Sequence, residues 1–154
     1  MASNFELTNA EAVTKLEEWF RRPLPEDYKN WLLDPNAPYP APAEVSIPDE
    51  SPWIDRIEMF FAPQQILQTL HEDAELVQQG VHPSFPVGTL PIGGTDSDHY
   101  LLSLRDHDYG AVLFMFHETA DPYNDFQEGL YTLGTSFGLW LPTLTLLPDE
   151  DEGA

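Results

Sequence analysis

Gly134-Thr135-Ser136-Phe137-Gly138 has the residue types and spacing of a G-x-S-x-G nucleophile elbow, the sharp turn that exposes a serine hydroxyl for attack on an acyl carbon. Such an attack needs a histidine to take the hydroxyl proton and a carboxylate to orient that histidine, and in this arrangement both follow the serine in the chain. Here the last histidine is His117, upstream of Ser136. The segment therefore reads as a helix start, with Ser136 capping free N–H groups and the glycines turning the chain. Asp96-Ser97-Asp98-His99 and Asp106-His107-Asp108 offer oxygen and nitrogen ligands for a metal. Neither completes a calcium loop. Counting from Asp96, the required glycine falls on Leu101; counting from Asp106, it falls on Ala111 and the closing acid on His117. His71-Glu72-Asp73-Ala74-Glu75 begins like a zinc signature and lacks the second histidine. Both aspartate pairs read as solvated turns whose carboxylates accept hydrogen bonds from their own backbone. With no P-loop, dinucleotide fingerprint or cysteine, the residues point to no catalytic group, no metal and no cofactor.

The chemistry this chain does carry is electrostatic. Asp and Glu number 27 against 6 Lys plus Arg, a formal net charge of -21, in a composition that is 42% hydrophobic and 12% aromatic. Acidic disordered segments lack aromatics, because they cannot offset the entropy of ordering. A folded domain with a negative exterior is expected instead. Lys15, Arg21, Arg22, Lys29, Arg56 and Arg105 are too few to neutralise several phosphates, so nucleic acid and anionic membrane are excluded as partners. Basic proteins would be attracted, with a faster encounter at low salt. A negative exterior also suits plain solubility or a salt-rich cytoplasm.

The elements that would hold these groups follow from periodicity. Thr8-Asn9-Ala10-Glu11 forms a capping box, and Val13, Leu16, Trp19 and Phe20 recur at helical spacing before Arg21-Arg22-Pro23 ends the helix. Pro25 opens a second helix through Leu33, with Glu26 and Asp27 at the positive end of its dipole. Asp34 to Pro52 is proline-rich and irregular, with Val45 to Ile47 as a short edge strand. Trp53 to Phe61 alternates as one strand, and Pro63 opens a third helix that Gly80 closes. Strands are expected at Val87 to Ile92, broken by Gly93-Gly94, then at Tyr100 to Leu104, Ala111 to Phe116 and Leu130 to Leu133, with a short kinked helix from Ser136 past Pro142. Ala111 to Phe116 is apolar on both faces and so lies inside the sheet; it is far too short to span a bilayer. Trp19, Trp31 and Trp140 belong in the core, while Trp53 and Tyr39 are either exposed anchors or loop packing. The N-terminus lacks the basic and apolar regions of a signal peptide, which predicts a soluble cytoplasmic protein. One domain over 1–148 and an acidic tail over 149–154 are expected.

The order of these pieces resembles a known family. Leu24-Pro25-Glu26-Asp27-Tyr28-Lys29-Asn30-Trp31-Leu32-Leu33 resembles the LP-x-D-Y-K-x-F-L helix of the SUKH superfamily (the Smi/Knr type), and Leu90-Pro91-Ile92-Gly93 resembles its F-x-P-I-G strand. Tyr100 to Leu104 with Tyr109 to Met115 resembles its next hairpin, and Thr135-Ser136-Phe137 with Trp140, Leu141 and Leu144 its closing helix. Asp34-Pro35-Asn36-Ala37 stands where the family often has Asn-Gly. The resemblance implies an α+β domain, a twisted, mostly antiparallel sheet flanked by helices, and no catalytic residues. It also implies a role as an immunity protein that binds a cognate toxin, or as a regulatory scaffold for a cellular protein. The acidic balance suits a basic toxin, such as a nuclease, whose phosphate-binding cleft is positive. The residues expected to meet it are the loop acids Asp96, Asp98, Asp106, Asp108, Glu118, Asp121 and Asp125, grouped near one sheet edge.

Overall fold

The computed structural model describes residues 7–37, 39–49, 51–95, 97–122, 126 and 128–147. Asp96, Asp125 and the acidic tail lie outside the described residues. The first helix, α1 (Asn9–Phe20), starts as its sequence dictates: Thr8 Oγ1 accepts from Glu11 N–H at 3.1 Å and Glu11 Oε1 accepts from Thr8 N–H at 2.9 Å. It ends at Arg21, whose backbone is left-handed and donates to Glu18 O. In α2 (Glu26–Leu33), Pro25 is the cap rather than the first helical residue, and Tyr28 and Leu32 are buried. The longest helix, α3 (Pro63–Gln78), buries Ile66, Leu67 and Leu70 and lies beside α1, tied start to start by Gln64 Nε2, which donates to Leu7 O at 2.8 Å.

The fold is α+β with antiparallel pairing throughout, as expected. The strands divide between two sheets. A three-stranded sheet has the order β2 (Trp53–Ile57), β1 (Ala43–Ile47), β8 (Thr145–Leu146). A five-stranded sheet has the order β3 (Met59–Phe60), β4 (Thr89–Gly94), β5 (His99–Ser103), β6 (Val112–Met115), β7 (Leu130–Gly134). Three expected details change. β1 is the central strand of its sheet rather than an edge, because β8 pairs with its second side. The run from Trp53 to Phe60 is two strands, and it changes sheets at Glu58, whose N–H donates to Gly94 O at 3.0 Å. Gly93 and Gly94 continue β4 instead of breaking it. A Cβ on Gly93 would stand 2.5 Å from Met59 O, so only glycine lets β3 close on β4.

Alternation sorts the side chains into two cores. Tyr100, Leu102, Val112, Phe114, Leu90 and Ile92 face the three-stranded sheet and the helices, while Leu101, Leu113 and Met115 face Phe85 and Phe126. β6 is thus covered on both faces and lies between β5 and β7. The short helix α4 (Phe137–Trp140), followed by a 3₁₀ turn over Leu141–Thr143 that accommodates Pro142, sets Phe137 and Trp140 into the first core. There Tyr28 and Phe137 meet edge to face at 4.9 Å, and Trp31 and Phe60 at 5.1 Å. No helix among the described residues is long and apolar enough to cross a membrane.

The two sheets part company because Pro40 and Pro42 have no N–H to continue the β1 ladder alongside β3. Tyr39 replaces that ladder: its hydroxyl accepts from Phe60 N–H at 2.8 Å and donates to Phe60 O at 2.9 Å. Removing the hydroxyl strands both backbone groups of a buried strand residue. Tyr39→Phe is therefore expected to lower the unfolding free energy by about 1–3 kcal/mol in a denaturant titration, with the slope unchanged. A loss below about 0.5 kcal/mol would show that water replaces the hydroxyl at no cost.

Candidate functional site

The G-x-S-x-G segment is built for packing. Ser136 Oγ accepts from Leu139 N–H at 3.2 Å and so caps α4. Gly138 N–H donates to Asp27 Oδ2 at 2.8 Å, and a Cβ there would stand 3.1 Å from the same oxygen. The last glycine thus lets α4 close on the first turn of α2. The Asp-His stretches serve different ends of the molecule. Consecutive turns of an antiparallel meander lie at opposite ends of its strands, and β5 separates the turn over residues 95–98 from the turn over residues 104–111.

At the second of these turns Asp106 and Asp108 are held by cations. Arg22 Nη1 donates to Asp106 Oδ1 at 2.8 Å and to Leu104 O at 2.7 Å, and its guanidinium lies 4.3 Å from the centre of the Tyr109 ring. Asp108 accepts from both Arg105 and the Ser103 hydroxyl. Partial burial works against its charge, but the Arg105 and Ser103 hydrogen bonds prevail and hold the carboxyl below the usual range. Nearby, Lys29 Nζ pairs with Glu17 at 3.3 Å. Four of the six Lys and Arg residues (Arg21, Arg22, Lys29 and Arg105) belong to this end, where α1 turns into α2. The seven loop acids therefore do not form one group: Asp106 and Asp108 stand at the far end of β5 from Asp98, already paired.

The opposite end is dominated by carboxylates, and Arg56, the residue after Asp55, is held by Glu58 at 3.2 Å. It comprises the turn between β1 and β2, the turn between β4 and β5, and the segment that follows β6. None of residues 30–55, 57–104 or 106–154 is Lys or Arg. Asp98 is buried there, 6% exposed, and Asp98 Oδ1 accepts from His117 N–H at 3.0 Å and meets His117 Nδ1 at 2.5 Å. Hydrogen bonding to Asp98, and then the charges of Asp98, Glu118 and Asp55, raise the His117 pKa above its ordinary value despite some desolvation. Glu118 is exposed beside it, and Asp121 lies half-buried on the same segment. Sequence reasoning missed Asp49 and Asp55. Asp55 acts on both His117 and Tyr100, and Asp49 acts on Tyr131. Trp53 anchors the group: its ring lies 5.6 Å from Phe116 and 5.3 Å from Tyr131, perpendicular to the latter. The loop-packing alternative is thus the one realised for Trp53. The signal that locates this end is the alternation of turns in a meander, which puts the 95–98 turn and the chain after residue 116 on one side.

A family model described as the SMI1 / KNR4 family (SUKH-1) matches residues 7–142. The chain belongs to this family. No curated protein and no solved structure matches it. The SUKH-1 match takes in both turns, the Asp98–His117 clasp and the Arg22 contacts, so the charge-sorted body is the family's own domain and not an appendage.

The clasp makes a pH prediction with a definite sign. A histidine whose native pKa is raised contributes stability that is complete below its unfolded value, about 6.5, and is lost as pH climbs through the native value. In an NMR titration His117 is expected to show the raised midpoint, and Asp98→Asn to return it toward about 6.5. A midpoint that Asp98→Asn leaves in place would assign the shift to Asp55 and Glu118 instead. At the other end, Arg22→Met is expected to cost about 1–3 kcal/mol through the lost Leu104 carbonyl bond. Asp106→Ala, at a side chain 99% exposed, should change stability by less than about 0.5 kcal/mol. Equal losses from the two would mean that the surface ion pair carries the contact.

Proposed function

We propose that this SUKH-1 domain is an immunity protein, which neutralises a cognate toxin with a basic surface by binding it directly rather than by catalysis. The observation that carries this reading is the sorting of charge. A net charge of -21 alone would only repel anions, but here one end of the sheet gathers carboxylates, and Arg56 beside them is already paired with Glu58. A toxin cleft that handles phosphate is positive. Asp49, in the turn before β2, and Asp55, on the strand that carries Trp53, with Glu118 and Asp121 on the segment after β6, would occupy such a cleft and exclude the substrate. Asp98 serves them from beneath by holding His117 and with it the start of the segment that bears Glu118 and Asp121. Asp106 and Asp108 take no part in this reading, since Arg22 and Arg105 already hold them.

Co-expression with the toxin encoded beside this gene tests the role. Restored growth and a complex that co-elutes on a sizing column are expected; no rescue and no complex would overturn it. The double reversal Asp55→Lys with Glu118→Lys should slow association by about tenfold or more at low salt and flatten its ionic-strength dependence. An unchanged association rate would move the contact away from this end.

A further inference from the structure

A second surface lies along the outer flank of β3. A groove of about 450 Å³ runs between the end of α2, the residues Asp34, Pro35, Ala37 and Tyr39, β3 and the start of α3. Its walls are Trp31, Tyr39, Met59 and Phe60, and among the described residues its one charged lining residue is Asp34. Tyr39 is 54% and Met59 42% exposed, so apolar surface is presented at the mouth as well as within. That volume falls inside the roughly 300–1,000 Å³ range of sites that receive a ligand or a partner's anchoring side chain.

We propose that this groove is a docking site for a cationic segment of another protein, which buries one apolar side chain against Trp31, Tyr39 and Phe60 and sets a lysine or arginine beside Asp34. Three observations select this occupant. Strand addition is blocked, because the Tyr39 hydroxyl already takes both Phe60 N–H and Phe60 O, so recognition goes through side chains. A second copy of the chain would bring two bodies of charge -21 together over a groove with no cation in its lining. The charge at the wall is Asp34, at the last turn of α2, where the helix's carbonyl end adds to the negative field. The start of α3 also borders the groove, and Gln65 Oε1 occupies its Ala62 N–H at 2.7 Å. Met59 pairs with Gly94, next to Thr95, so the groove opens beside the carboxylate-rich end and a single partner can cover both. This inference rests on the partner being a basic protein, and its test does not use the toxin, so the two can fail separately.

The probe is an acetylated, amidated peptide of sequence GRKLRKG, titrated into the full chain and followed by NMR. Saturable shifts at the Trp31 indole N–H and the Met59 methyl are expected. Replacing the peptide's Leu by Gly, or all its Lys and Arg by Glu, should weaken binding by about tenfold or more. Asp34→Asn should weaken the cationic peptide alone, and Met59→Lys should abolish its binding while the folded spectrum persists. No saturable shift at these two groups, or equal binding of the acidic peptide, would overturn the proposal. So would equal binding of lysine amide, which would make the groove a small-molecule site, or concentration-dependent dimerisation that shifts the same resonances.

Discussion

One extended run, Trp53 to Phe60, has to serve two sheets at once, and the rest of the molecule is arranged around that demand. Its first five residues pair with β1 and its last two with β4. The transfer at Glu58 is possible because Gly93 and Gly94 let backbone approach backbone, and because prolines leave β1 unable to follow. The three-stranded sheet consequently folds across one face of the five-stranded one. Trp53 comes down on Phe114, Phe116 and Tyr131, and the Tyr100 hydroxyl, reaching up from β5, donates to Arg56 O at 3.0 Å. This crossing carries the β1–β2 turn, with Asp49, and Asp55 just beyond it on β2, to the same end as Asp98 and Glu118. The carboxylate-rich surface is a by-product of how the strand changes partners.

The cost of gathering carboxylates is met locally. Asp98 is nearly buried, and its charge is satisfied by a backbone N–H and a histidine ring from the neighbouring segment. At the other end, Asp108 is embedded between Arg105 and Ser103. Asp98 and Asp108, two of the four aspartates in the metal-like stretches, therefore fasten the chain through His117, Arg105 and Ser103. The exposed acids beside them face water, where mutual repulsion is screened and mild. Polar fastening inside and exposed charge outside give a surface that keeps its shape while remaining strongly negative.

Local devices were readable from residue spacing: the Thr8–Glu11 box, the apolar stripe of α3, the Ser136 cap and the two-faced burial of β6 all depend on neighbours within a few positions. The family-like runs around Tyr28 and Ile92 were readable for the same reason. Hidden were features set by contacts distant in the chain. Nothing near Val45 announces that β8, a hundred residues on, makes it a central strand. Gly93-Gly94 looks like a break until Met59 O is seen where a Cβ would go. Asp55 sits in an alternating strand and carries no local mark; its place beside His117 and Tyr100 comes from the crossing of the sheets. Asp106 and Asp108 were misgrouped because composition ignores the direction of a hairpin.

The separation of mixed charge from mostly negative charge makes the folded molecule an electric dipole superimposed on a large net charge. Four cations sit where α1 gives way to α2, while Arg56, toward the far end, is paired with Glu58. In the field of a positive body such an object feels a torque as well as a pull. The carboxylate-rich end turns toward such a body before contact, because the field acts over roughly a Debye length.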